Sequence, residues 1–137
     1  MEFKLPPVEI VDTSTVLPLA NEVNWGMDIF GVEFLRSKGF TGKNVLVCIV
    51  DTGADRTHPL LKNCIDAKDF TRSRVGPNDA HGHGTHCTGT VGGVDPRVGV
   101  AFEGKTIHGK GLSDSGSGGS DDLVRAMEWG IEQGAKI

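Results

Sequence analysis

The strongest pattern in the chain is a run of six apolar residues, Val45-Leu46-Val47-Cys48-Ile49-Val50, set between Gly42-Lys43-Asn44 and Asp51-Thr52-Gly53. The run is short, unbroken and rich in β-branched side chains, which predicts a strand buried on both faces in a parallel sheet. Upstream, Met27, Phe30, Phe34 and Leu35 recur at helical spacing from Asn24 onward, and Gly39 ends that segment. Downstream, a weaker strand is expected over Cys64 to Phe70, followed by a polar loop from Thr71 to His81. Gly82 to Val91 predicts a short buried helix, Thr106 to Leu112 a third strand, and Ser113 to Gly119 a glycine–serine loop.

The last helix is the best marked. Ser120 is placed to cap it, and Asp121 and Asp122 complement the dipole of its first turn. Leu123, Val124, Met127 and Ile131 form an apolar stripe, and Gly134 closes the helix. Ala135-Lys136-Ile137 then begins a further strand. Strands alternating with helices predict an α/β fold on a parallel sheet, and the stop at Ile137 predicts a sheet left unfinished at its C-terminal end. Residues 1–20 lack clear periodicity and read as an N-terminal extension, with one domain over 21–137.

Composition narrows the function. The 137 residues suffice for one domain, and 37% hydrophobic residues with 20 glycines describe a globular chain with many tight turns. Net charge is −4, with acids and bases interspersed, so binding to nucleic acid or a membrane surface has no electrostatic support. No apolar run has the length of a membrane span. The N-terminus carries Glu2, Glu9 and Asp12 and the pair Pro6-Pro7, unlike a secretory signal. Cys48, Cys64 and Cys87 fit neither a zinc pattern nor a disulfide framework. Both features point toward a reducing, cytoplasmic setting.

Two motifs carry candidate chemistry. Asp51-Thr52-Gly53 follows the buried strand directly, and in open α/β sheets functional groups gather at the carboxyl ends of strands. Asp and Gly are also ordinary turn residues. His81-Gly82-His83-Gly84-Thr85-His86 places three histidines within six residues, where a solvated loop needs none. Its glycines allow close backbone packing, which suits an imidazole at the start of a buried helix.

Together the motifs resemble those of the subtilisin-like serine proteases, the subtilases. Val45 to Leu61 is similar to their aspartate motif: an apolar strand, Asp51-Thr52-Gly53, then His58-Pro59 and a leucine. His83-Gly84-Thr85-His86-Cys87-Thr88-Gly89-Thr90 resembles their histidine motif, at a matching separation. Asn24-Trp25-Gly26, Gly39 to Val45, Gly99-Val100-Ala101 and Gly116-Ser117-Gly118 also fall in the family's order, so the resemblance runs from Asn24 to Ile137. It implies a three-layer α/β fold and a serine endopeptidase acting through an Asp-His-Ser triad. Asp51 is then the residue that orients the imidazole, and His83 the general base. By the same resemblance Gly116, Ser117 and Gly118 pair with an extended peptide substrate, and Leu112 lines a pocket for its side chains. His81 and His86 are assigned structural roles.

The chain also departs from the family pattern. No Gly-Thr-Ser tripeptide occurs, so the nucleophile motif is absent and the chain is expected to be inactive alone, as the N-terminal part of a catalytic domain. The missing C-terminal portion is its implied partner, beside a peptide or protein substrate. Leu5-Pro6-Pro7 resembles the short Leu-x-Pro prosegment of intracellular subtilisins. Many secreted members bind calcium through an aspartate after His-Pro and a longer loop after the histidine helix. Here Leu60 follows Pro59 and Gly92 to Arg97 is short, so neither a metal nor another cofactor is expected. Cys87, four residues after His83, lies one helical turn along. Some subtilases carry a free cysteine there, beneath the histidine, although a small buried hydrophobe is the usual role of such a thiol.

Three other functions fit parts of the pattern. Val50 to Asp55 is also what a retroviral-type aspartic protease shows around its aspartate, but that leaves the histidine motif unexplained. His81, His83 and His86 nearly copy a dinuclear zinc motif, with Thr85 where a carboxylate ligand belongs. A catalytically dead subtilase-like interaction domain would show the same residues.

Overall fold

The computed structural model describes residues 1–4 and 25–137. The expected boundary between extension and domain, at residues 20 and 21, lies outside the described residues. Elements run in the order β1 (Glu2–Lys4), α1 (Trp25–Ile29), α2 (Val32–Ser37), β2 (Leu46–Asp51), β3 (Cys64–Asp69), α3 (His83–Gly92), β4 (Lys105–Lys110), β5 (Ser117–Gly119) and α4 (Ser120–Glu132), with a short 3-10 turn at Pro59–Leu61.

Strands β2, β4 and β3 form a parallel sheet in that order, and β1 pairs antiparallel with β5. Alternation along β4 builds the layers. Thr106 and His108 face α3, where Gly92 and Thr88 meet them, while Gly109 and the following Gly111 face α4 through Ala126 and Leu123. The result is the expected α/β arrangement, helices on both faces of a parallel sheet. Lys136 and Ile137 form backbone hydrogen bonds with Leu46 and Cys48 of β2, the place of a further strand. Among the described residues no helix is long and apolar enough to cross a membrane.

Five expectations need correction. The single helix from Asn24 is two short ones, because Gly31 sits in the left-handed region (φ 64) and breaks the hydrogen-bond ladder. Of the proposed stripe only Met27 is buried, while Phe30, Phe34 and Leu35 are exposed. Strand β2 is not buried on both faces: Val47 and Asp51 are, but the residues between them are half-exposed, since among the described residues only Lys136 and Ile137 hydrogen-bond along its outer edge. In α4 the buried face is Ala126, Trp129 and Gly130, with Val124, Met127 and Ile131 exposed. Glycines decide this face. A Cβ at Gly109 would stand 2.9 Å from that of Ala126, and one at Gly130 2.6 Å from the Cys48 sulfur, so the helix comes closest to the sheet at its small residues. Ser120 makes no side-chain cap; Gly119 occupies that position, and Gly134 (φ 84) ends the helix as expected.

Candidate active site

The site forms where the carboxyl end of β2 meets the first turn of α3. The Asp51 carbonyl accepts hydrogen bonds from the N–H groups of Gly111 and Leu112, and its Oδ1 accepts one from Thr52 at 2.7 Å. That fixes the carboxylate facing α3. His83, the first residue of α3, places Nδ1 2.8 Å from both oxygens of Asp51. An ionised carboxylate only accepts, so Nδ1 carries the proton and Nε2 is the bare nitrogen able to take another. The Asp51 side chain is 10% exposed and that of His83 32%, so the pair is sheltered on the carboxylate side and open on the imidazole side.

Two glycines permit this approach. Gly53 has φ 116, and a Cβ there would lie 2.6 Å from the Asn78 carbonyl oxygen. At Gly84 a Cβ would lie 2.2 Å from the Gly53 oxygen, so turn and helix touch backbone to backbone. Thr52 cross-links them: its hydroxyl accepts from Gly84 N–H at 3.0 Å and donates to Asp79 at 2.9 Å.

Asp79 is a site residue that the sequence motifs did not single out. Its carboxylate also accepts from the backbone of His81, Gly82 and Thr85 and from the Thr85 hydroxyl, so it caps α3 from outside the helix. Burial pushes this carboxyl up, but the bonds from Thr85, Gly82 and Thr52 overcome it and bring it down to about 2. The signal was an aspartate four residues before His83, within reach of a helix start.

Strand β4 supplies two more unanticipated residues, both fully buried. Lys110 Nζ donates to the carbonyls of Thr52 (2.7 Å) and Asn78 (2.8 Å) and to Asp114 Oδ1 (2.7 Å), satisfying all three donors of a buried cation. It ties the Asp51 turn to the loop that leads to β5. His108 accepts the Gly53 N–H on Nε2 at 3.1 Å, with Nδ1 3.0 Å from the Thr88 hydroxyl. Burial drives its pKa down to about 4, against the pull of Asp51 and Asp79 and with the help of Lys110. Between pH 6.5 and 4 the unfolded chain therefore binds a proton that the folded one refuses. Stability is full above pH 6.5, falls by up to about 3 kcal/mol as pH drops to 4, and then levels with respect to this group. The Asp79 carboxyl, lowered instead, gives a separate loss as pH falls from 3.8 toward 2. Urea unfolding midpoints at pH 7, 5.5 and 4.5 should show the first slope in the wild type and a flatter one in His108→Gln.

The predicted substrate residues lie beside this centre. Leu112 is buried, and its backbone touches Asp51. A Cβ on Gly118 would stand 2.5 Å from the Gly111 carbonyl and 3.0 Å from Leu112 Cδ2, so the β5 segment rests on Leu112. Along β5 the chain's own N-terminus adds as a strand, with Glu2 opposite Gly119, Phe3 opposite Gly118 and Lys4 opposite Ser117. His81 stands edge-on to His83 with centroids 6.3 Å apart, and His86 is exposed. The three histidines do not converge. Among the described residues, the set of three ligand-type side chains brought together is Asp51, His83 and Cys87. Cys87 Sγ lies 3.7 Å from His83 Nδ1 and 3.9 Å from Nε2, against the imidazole. Burial first and the Asp51 charge second push the thiol up, so it stays protonated at neutral pH.

Residues 42–137 match the family model for subtilases. The chain belongs to the subtilase family. It is 36% identical over 126 residues to the major intracellular serine protease of Bacillus subtilis strain 168, an alignment covering 85% of this chain and 40% of that protein. It is 32% identical over 122 residues to subtilisin E of the same strain, covering 86% of this chain and 32% of the relative. The crystal structure of a cold adapted subtilisin-like serine proteinase superimposes with a TM-score of 0.60 at 31% identity, over 68% of this chain and 34% of the other. The subtilase chain thus spans about a third to two-fifths of the length of these proteins, as a partial domain.

Proposed function

We propose that this chain supplies the aspartate–histidine half of a subtilase active site, in a serine endopeptidase completed by a serine-bearing C-terminal portion. The observation that carries the reading is the contact of His83 Nδ1 with both Asp51 oxygens at 2.8 Å, at the end of a parallel strand. In the reaction His83 Nε2 takes the proton from the serine hydroxyl as it attacks the peptide carbonyl, then returns it to the leaving amine. Asp51 holds the tautomer and stabilises the imidazolium. Gly116, Ser117 and Gly118 bind the peptide as an added strand over Leu112. The N-terminal extension belongs to the same scheme: Glu2–Lys4 on β5 supports a segment that competes with substrate for that edge.

The test is expression of the full-length gene product and assay with a peptide substrate. Phenylmethylsulfonyl-fluoride-sensitive hydrolysis, with the label on a serine outside residues 1–137, is expected. A polypeptide limited to these 137 residues should show none. A full-length protein that folds but neither hydrolyses peptides nor takes up the label would instead be a catalytically dead interaction domain.

Two further results follow for the active enzyme. Removing residues 1–4 frees β5 and should lower KM severalfold with kcat little changed; an unchanged KM would separate the extension from substrate binding. An organomercurial on Cys87 should abolish most activity, because a bulky group against the imidazole displaces it, and about 1 Å of displacement costs on the order of a hundredfold. Cys87→Val should resist the reagent. Cys64 is buried and Cys48 is covered by α4, so neither substitutes for it.

A further inference from the structure

His108 is a fully buried imidazole that no step of the proposed reaction uses. Its surroundings fix both its charge and its tautomer. The Gly53 N–H can only donate, so Nε2, at 3.1 Å, is bare. The Thr88 hydroxyl donates to the Gly84 carbonyl at 2.7 Å, so toward His108 it accepts, and Nδ1 at 3.0 Å carries the proton. The bonds therefore run in one direction, Gly53 N–H to His108 to Thr88 to the Gly84 carbonyl. The first member belongs to the turn that follows Asp51, and the last to the residue that follows His83. Moreover, His108 Cε1 lies 3.0 Å from where a Gly84 Cβ would stand, so the ring fills the space under that crossing.

We propose that His108 is a positioning residue: from the strand between them, it sets the distance between the turn carrying Asp51 and the helix carrying His83. This rests on the endopeptidase reading only for its consequence in turnover. The Thr52 hydroxyl bridges turn and helix from the other side, through Gly84 N–H and Asp79, so the crossing is held at two points. Loss of His108 leaves the Gly53 N–H unpaired in a buried place and the helix free to shift along the turn. The groups whose charge reaches the ring are Asp51 on β2, Asp79 in the loop before α3, and Lys110 on β4 itself; α3 presents it only Thr88 and the Gly84 backbone. A protonated His108 would aim N–H at N–H against Gly53, so the clamp works only with the neutral ring.

Two readouts test this on the full-length protein. The first is the downfield proton resonance of His83 Nδ1–H, which reports its bond to Asp51 without any turnover. The second is kcat against KM for a peptide. His108→Leu should lose the resonance and about a hundredfold in kcat, with KM within twofold. His108→Gln can still accept from Gly53 and should retain the resonance and most of kcat. Thr88→Val, nearly isosteric, breaks the second half of the relay and should lower kcat about tenfold, which decides the matter if the leucine variant does not fold. A folded His108→Leu, or Thr88→Val, that keeps both the resonance and kcat overturns the proposal. If the wild type cleaves no peptide, the endopeptidase reading falls while the resonance still decides the role of His108.

Discussion

Asp51→Asn in the full-length enzyme is expected to lower kcat about 10⁴-fold while KM stays within a few-fold. The asparagine oxygen takes over the Thr52 N–H that Asp51 Oδ1 now accepts at 2.7 Å, which leaves the amide NH₂ facing His83. An NH₂ group there donates to Nδ1, so the imidazole proton moves to Nε2 and the base can no longer accept from serine. Asp51 is buried, and the proposed reaction gives it no contact with the peptide, which is why binding should be spared. The decisive measurement is kcat from initial rates under saturating substrate. A fall of less than tenfold would show that His83 is oriented by something other than Asp51.

The parts of this site legible in the sequence were those where backbone geometry demands a residue type. Asp51-Thr52-Gly53 and His83-Gly84 stood out because the approach of turn to helix excludes a side chain at Gly53 and Gly84, and that constraint writes glycine at fixed offsets from Asp51 and His83. Strand β4 was legible as a strand, but its contents were not. His108 and Lys110 look like solvated polar residues in a linear reading, yet both are fully buried because the turn after Asp51 offers the Gly53 N–H to one and the Thr52 carbonyl to the other, with Asn78 and Asp114 completing the lysine's partners. Asp79 was hidden for a related reason: it caps α3 from a loop, three residues before the helix's own cap at Gly82. Helix α4 shows the opposite failure. Its apolar residues promised a stripe of Leu123, Val124, Met127 and Ile131, but of these Leu123 alone meets the sheet, at Gly111, and close packing on Gly109 and Cys48 favours the face with Ala126 and Gly130. Hydropathy marks which side chains avoid water, whereas the distance between layers is set by the smallest residues between them.

That principle separates two substitutions that look alike on paper, Gly84→Ala and Gly89→Ala, both in α3. At position 84 the new methyl would stand 2.2 Å from the Gly53 carbonyl oxygen and 3.0 Å from the His108 ring. The first obstacle is backbone in the turn that carries Asp51, so the helix itself must move away. Overpacking of this kind costs about 1–3 kcal/mol or more, and a shift near 1 Å between Asp51 and His83 costs about a hundredfold in kcat. At position 89 the methyl meets, among the described residues, only Leu61 Cδ2, at 3.9 Å, an ordinary contact. There alanine replaces a helical glycine and should stabilise by about 0.5–1 kcal/mol, with kcat within twofold. Urea unfolding should therefore rank Gly89→Ala above the wild type and Gly84→Ala below it, with kcat lost only in the latter. If Gly84→Ala unfolds and turns over like the wild type, the backbone contact between turn and helix is not what brings His83 to Asp51.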